Sequence, residues 1–182
     1  MRTLILGLLA LCISASGYAQ FSKAKLQASG LTCAMCARSV YKNLEALSFV
    51  DSIGTDLEQS SFLITLRPGV DVDADQIRKK VEDAGFSVAD LRLEGVFEPV
   101  KVGNDRHVTL NGRTYHFLDV PEQSLGGKRS IRFVDRDFLA TKEQKKYAAM
   151  ASGHACYKSG RTEECCRQAG VKSDGRVYHV TL

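Results

Sequence analysis

The stretch Ala24-Lys25-Leu26-Gln27-Ala28-Ser29-Gly30-Leu31-Thr32-Cys33-Ala34-Met35-Cys36 changes its period halfway along. Ala24, Leu26 and Ala28 alternate with Lys25, Gln27 and Ser29, the repeat of a half-buried strand. Beyond Cys36 the apolar positions are Ala37, Val40, Leu44 and Leu47, which follow helical spacing. The junction therefore carries two thiols, the first in a loop and the second in a helix's first turn. Free backbone N–H groups and the positive end of the helix dipole lie there, and both favour thiolate over thiol. Thiolate is the species that binds metal or attacks a disulfide, so spacing alone leaves metal capture and redox exchange both open.

Working outward, Phe49 to Leu57 reads as a weaker strand, and Phe62, Ile64 and Leu66 alternate cleanly before a Pro68-Gly69 turn. Asp73 and Gln76 have capping-box spacing. Ile77, Val81 and Ala84 form the stripe of a second helix, and Gly85 falls where its C-terminal cap belongs. Val88, Leu91 and Leu93 make the last strand of this half, with one break in alternation. Strand, helix, strand, strand, helix, strand is the ferredoxin-like split arrangement, with the helices covering one face of a four-stranded antiparallel sheet.

The Gly30-Leu31-Thr32-Cys33-Ala34-Met35-Cys36 segment, with Glu82-Asp83-Ala84-Gly85-Phe86 some fifty residues later, resembles the heavy-metal-associated domain family of soluble copper chaperones and P-type ATPase metal-binding domains. The family pattern is glycine, methionine, threonine and then Cys-x-x-Cys, with a glycine-aromatic pair before the last strand. Leu31 stands for the usual methionine, an apolar swap that still packs under the loop. The resemblance covers residues 22–94 and implies a ferredoxin-like fold that binds a soft metal through Cys33 and Cys36. It also implies a Met35 that points away from the metal, a Phe86 near the metal loop, and a metal-transport or metal-accepting protein as partner. Two thiolates alone give a low-coordinate site, which suits Cu(I) ahead of Zn(II), an ion that wants four ligands. Thr32 offers no carboxylate beside Cys33. Hg(II) stays open as well, because periplasmic mercury-scavenging proteins resemble this domain too. The competing readings are a thiol–disulfide redox protein using the same pair, against which stand the absence of Trp and Thr32 before Cys33, and an idle disulfide.

Residues 1–19 read as an export leader: Arg2 supplies a short positive start, Leu4 to Ile13 an apolar run, and Gly17-Tyr18-Ala19 a cleavage site after Ala19. Leu11 before Cys12 is too large for lipoprotein cleavage. The mature chain is expected to be exported, to a periplasm, with no stable membrane insertion. Of the six cysteines Cys12 leaves with the leader, so five remain, and an odd number in an oxidising compartment leaves at least one thiol free, metal-bound or paired between chains.

After Gly95 the character changes, and the expected division is a leader over 1–19, the heavy-metal-associated domain over 20–95 and a small β-rich domain over 96–182. Val96 to Val102 is a strand candidate, and His107 to Leu110 with Arg113 to Val120 flank Asn111-Gly112, a strong hairpin signal. Ser130 to Val134 and Val177 to Leu182 add strands, Lys142 to Met150 a helix, and Thr162 the cap of a short helix through Ala169. This order is compatible with a five-stranded barrel of the OB type, one of several small α+β folds with the same string. The fold class of the whole is α+β.

His154, Cys156, Cys165 and Cys166 lie close in sequence and form a candidate second metal site. The preferred reading there is a structural disulfide from Cys156 to Cys165 or Cys166. His107, His116 and His179 sit singly on strands, where a histidine is more often a surface or satisfied core residue than a ligand.

No Gly-x-Ser-x-Gly, phosphate-binding loop or dinucleotide glycine pattern appears, so no enzyme class is indicated. The net charge of +4 is spread without a Lys/Arg block, which argues against nucleic acid as a partner. The expectation is an exported, non-enzymatic protein that binds Cu(I) and transfers it through Cys33 and Cys36.

Overall fold

A computed structural model of the chain describes residues 19–182. Apart from Ala19, the leader expected over 1–19 lies outside the described residues. Ala19 itself opens the first strand, β1 (Ala19–Ser29), and is buried. Then follow α1 (Ala34–Glu45), β2 (Val50–Asp56), β3 (Ser61–Leu66), α2 (Ala74–Asp83) and β4 (Ser87–Val102). This is the ferredoxin-like arrangement, and its strands lie in the order β2-β3-β1-β4.

The local causes are those legible in the chain. Helix α1 buries Ala37, Val40 and Leu44, and α2 buries Ala74, Ile77 and Val81. Both stripes enter one core with Leu26, Phe62 and Ile64. Each of these large side chains is fully enclosed and contributes roughly 1.5–3 kcal/mol by leaving water. Asp73 caps α2 by accepting from the Asp75 and Gln76 backbone N–H groups. The Gln76 side chain donates to the Asp73 carboxylate, at 3.5 Å, instead of closing the expected reciprocal box. Gly85, at φ +87°, ends the helix, and the Phe86 N–H returns to the Val81 carbonyl.

Strand β4 differs from the sequence reading. It runs unbroken for 16 residues, so Val96 to Val102 is its continuation and not a separate strand. Residues 87–97 pair with β1, and residues 92–102 pair with β7 (Gln123–Phe133). A Cβ at Gly95 would collide with the Gln20 carbonyl and lie 2.9 Å from Phe21 Cα. Glycine is needed there because β1 shifts register at that point, with Phe21 opposite Gly95 and Lys23 opposite Glu94.

The remaining elements are β5 (Arg106–Leu110), β6 (Arg113–Phe117), α3 (Thr141–Met150), α4 (Ala155–Ser159), α5 (Glu164–Gln168) and β8 (Val177–Thr181). They do not close into an OB-type barrel. The eight strands form one open sheet, β2-β3-β1-β4-β7-β8-β6-β5, whose outermost strands are β2 and β5. The reason is β4, which offers one edge to β1 and the other to β7 and so extends the first sheet. Thr162 is not a helix cap: its hydroxyl donates to the Ser173 carbonyl, and α5 begins after Glu163 without a side-chain cap.

Along β6 and β8 the side chains alternate between two covered faces. Tyr115, Phe117, Tyr178 and Val180 join the main core. On the other face α3 packs Tyr147 and Ala151 against Leu118, Val134 and Leu139, while α4 and α5 bring Cys156 and Cys166 over Val177. Among the described residues no helix is long and apolar enough to cross a membrane.

Candidate metal centre

The end of β1 sets the position of the cysteine pair. Gly30 takes φ +84° directly after the strand, with the Phe86 ring 3.8 Å from where its Cβ would be. Leu31 and Phe86 are half-buried against the core, which fixes the loop from beneath. Cys33 is the N-cap of α1, extended at φ −152°, and its Sγ accepts the Cys36 backbone N–H at 3.3 Å. Cys36 lies one turn into the helix, with its Sγ 2.6 Å from that of Cys33. Cys33 is exposed and Cys36 partly so, while Met35 between them is 75% exposed.

The electrostatics of the pair are asymmetric. The Cys36 thiol and backbone N–H both point at Cys33 and hold it below the ordinary thiol value. Cys36 is raised, first by its side-chain hydrogen bond with Cys33 and then by desolvation. Of the two sulfurs, Cys33 is therefore the one its surroundings favour as thiolate. Among the described residues no His, Cys, Asp or Glu joins these two sulfurs in a three-ligand group. Metal–sulfur bonds of about 2.3 Å would hold the two sulfurs farther apart than now at any S–metal–S angle above about 70°. The loop therefore has to open slightly on loading.

The second cysteine group is arranged differently from its expected form. All described cysteines are free thiols, and the disulfide expected at Cys156 is not formed. The Cys156 sulfur instead faces two imidazoles, 3.5 Å from His179 Nε2 and 3.9 Å from His116 Nδ1. Cys166 Sγ, Cys156 Sγ and a His107 ring nitrogen form a group within 4.8 Å of one another. Cys165 Sγ lies 3.9 Å from Cys166 Sγ. His154 stands apart from the sulfurs and contacts Asp105 through Nε2 at 3.1 Å. So of the four residues singled out by spacing, Cys156 and Cys166 meet at one point, with Cys165 beside them.

The residues that complete this group are the three histidines set aside from sequence. His107 lies opposite His116 across the β5–β6 hairpin, and His116 lies opposite His179 across the parallel β6–β8 pair. The three imidazoles form one row over three strands, with His107 and His116 stacked at 4.0 Å between centroids. Half of this row was available to reasoning. A two-residue Asn111-Gly112 turn pairs residues equidistant from it, and that pairs His107 with His116. The parallel partner β8 begins at Val177, far along the chain from the end of β6 at Phe117, and no local signal announces it.

Burial pushes the His107 imidazole down to about 4 and lowers His116 as well, so both are neutral near pH 7. Burial also pushes the Cys156 thiol far above its ordinary value, helped by the neighbouring Cys165 and Cys166.

Residues 25–87 match the family model of the heavy-metal-associated domain. Similar solved structures include the yeast copper transporter domain Ccc2a in its apo and Cu(I)-loaded states, at 28% identity over 37% of this chain and 90% of that one, TM-score 0.33. The Atx1–Cu(I)–Ccc2a complex is similar at 26% identity over 40% of this chain and 93% of that chain, TM-score 0.33. The N-terminal domain of ZntA in its apo form is similar at 24% identity over 40% of this chain and 92% of that chain, TM-score 0.33. No curated protein matches the chain.

Proposed function

From the premise that residues 25–87 are a heavy-metal-associated domain, we propose that the chain is a carrier of a soft metal ion, taken up as Cu(I) by Cys33 and Cys36 and handed to a metal-accepting partner. The observation that carries this reading is a pair of reachable sulfurs at the start of α1, adjoined by no third ligating side chain among the described residues. Capture releases the protons of the two thiols and leaves a two-coordinate ion. Two-coordination is what transfer needs. An incoming thiolate adds as a third ligand, one of the original sulfurs leaves and takes back a proton, and the ion moves without ever being free.

Beside the sulfurs a groove is lined by Met35, Arg38, Tyr41, Lys42 and Leu57. Glu45 also lines it beside the two cations, so it is the exposed apolar side chains, Met35 and Leu57, that would receive a partner. The leader-like residues 1–19 support an exported, periplasmic setting. In this reading the chain binds and delivers, and does not catalyse.

One observation favours a second reading. A lowered Cys33 beside a raised Cys36 is also the arrangement of an attacking and a resolving thiol in disulfide exchange. Anaerobic titration of the reduced protein with Cu(I), in competition with a chromophoric Cu(I) chelator, separates the two. The carrier reading expects one ion per chain, held against the chelator, and lost in Cys33→Ser/Cys36→Ser. Weak Cu(I) retention together with rapid exchange against a model disulfide would replace it by the redox reading. Preference for Hg(II) or Zn(II) over Cu(I) in the same titration would keep the site and change its cargo.

A further inference from the structure

The β5–β6–β8 end of the sheet holds a buried cluster that metal carriage on Cys33 and Cys36 does not use. His116 and His179 are both fully buried, and each is held by a carboxylate on its far nitrogen. Asp105 Oδ1 lies 2.8 Å from His116 Nε2, and Asp135 Oδ1 lies 2.9 Å from His179 Nδ1. A carboxylate there accepts the ring N–H, so His116 Nδ1 and His179 Nε2 are the atoms left with lone pairs. Both of these atoms face the Cys156 sulfur, at 3.9 Å and 3.5 Å. A thiol has one proton, and it satisfies one of the two lone pairs.

A second observation points the same way. Both ring nitrogens of His107 are buried with no hydrogen-bond partner among the described residues. A buried polar atom without a partner is costly, and a His107 nitrogen lies within 4.8 Å of the Cys156 and Cys166 sulfurs, so a cation drawn to those sulfurs would also offset that cost.

We propose that this cluster is a second metal site for a four-coordinate divalent ion of the zinc type: Cys156, His116 and His179 already lie together as three ligands, and Cys166, grouped with Cys156 and His107 rather than with the other two histidines, closes in as the fourth. Imidazole and thiolate together are the donor set such an ion prefers. The Asp105 and Asp135 contacts orient the two imidazoles in the manner of the outer partners of metal-bound histidines. The ligands are enclosed, so the ion is resident and structural, unlike the cargo at Cys33.

The fold gives such an ion work to do. Helices α4 and α5 have five residues each, too short to hold themselves together. The apolar cluster that seats them consists of Cys156, Cys166 and Val177, with Cys165 and Val171 at its margin. A metal bridging Cys156 and Cys166 to the histidine row pins that excursion to the sheet. Binding deprotonates both thiols and releases their protons to solvent.

The test uses the full mature chain carrying Cys33→Ser/Cys36→Ser, so that the first site is absent and the outcome does not depend on it. Co(II) is titrated into the reduced protein under anaerobic conditions, after thiol alkylation of an aliquot has confirmed three free thiols. The expected result is one Co(II) per chain, with the intense visible bands of a tetrahedral ion and a sulfur-to-cobalt charge-transfer band, displaced by Zn(II). Loading with Zn(II) is expected to raise the thermal midpoint by at least about 5 °C. It should also slow proteolysis between residues 152 and 176 at least about tenfold. Adding Cys156→Ser should abolish the bands; Lys158→Ser, a neighbour outside the cluster, should keep them and guards against a general loss of fold. No tetrahedral spectrum in the fully reduced chain, or the same spectrum after Cys156→Ser, overturns the proposal.

Discussion

Arg176 Nε donates to Asp75 Oδ2 at 2.8 Å, joining the entry to β8 to the first turn of α2 across 101 residues of sequence. The same guanidinium reaches Asp135 and the Gly160 and Val177 carbonyls, and the Tyr178 hydroxyl also donates to Asp75. One arginine therefore ties the second half of the sheet to a helix of the first.

Arg176→Ala removes several charge-assisted bonds, taking the guanidinium from Asp135 and leaving Asp75 with Arg78 as its remaining cation. The expected cost is about 2 kcal/mol or more, read as a lower urea midpoint with an unchanged slope. An unaffected midpoint would show that the Arg113 and Tyr178 contacts and the shared core hold the two halves without Arg176. Burial works to raise Asp75, and Arg176 and Tyr178 outweigh it, so its carboxyl lies below the usual carboxylate value. Its contribution to stability is therefore complete above the unfolded value of about 4 and is lost as pH falls through the lower folded one.

Cys33 owes its lowered value first to the Cys36 side chain. Cys36→Ala is expected to move the alkylation profile of Cys33 to higher pH. The rate of iodoacetamide labelling against pH, followed by peptide mass mapping, measures this. A profile unmoved by the substitution would assign the activation to the helix end alone.

The histidine row makes the metal-free protein sensitive to mild acid. Burial holds His107 at about 4, whereas an unfolded imidazole titrates near about 6.5. Between those values the unfolded chain binds protons that the folded chain refuses. Stability is therefore full above about pH 6.5 and declines as pH falls towards about 4. In the presence of a chelator, calorimetry should find a thermal midpoint several degrees lower at about pH 5 than at about pH 7.5, and His107→Gln should flatten the slope. A midpoint constant across that range contradicts the burial of a neutral row.

Gly95→Ala places a methyl group against the Gln20 carbonyl at the register shift of β1. Neither partner is a flexible side chain, so backbone has to move, at an expected cost of about 1–3 kcal/mol. Gly69→Ala, which meets nothing within 4 Å but sits at φ +72°, should cost about 1 kcal/mol and serves as the comparison. Equal losses at the two positions would remove the steric explanation.

The first half of the fold was legible because its determinants are local. Ala24-Leu26-Ala28, the Ala37 to Leu44 stripe, Asp73 and Gly85 each act over a few residues, and they agree with one another. The second half was not, because its determinants are long-range. Nothing near Val96 says that the strand continues, since that depends on β7 arriving to pair with it. His179 reads as a lone strand histidine until β8 lies parallel to β6. The Cys33 pair was visible for the same reason as the first half: both thiols and the helix end that prepares them lie within four residues. The Cys156 group was half visible, its sulfurs near each other in the chain and its imidazoles not.

Strand β4 passes from one half of the sheet into the other, so the two halves are joined by a shared strand and not by a linker. A protein that shuttled an ion between two of its own sites would need one to swing towards the other. Here the Cys33 loop leaves β1 and the histidine row lies on β5, β6 and β8, all strands of that one sheet. A shared sheet offers no such swing, so on the proposed functions an ion leaving Cys33 would pass to another molecule, and the histidine end would be loaded from outside, in an event of its own.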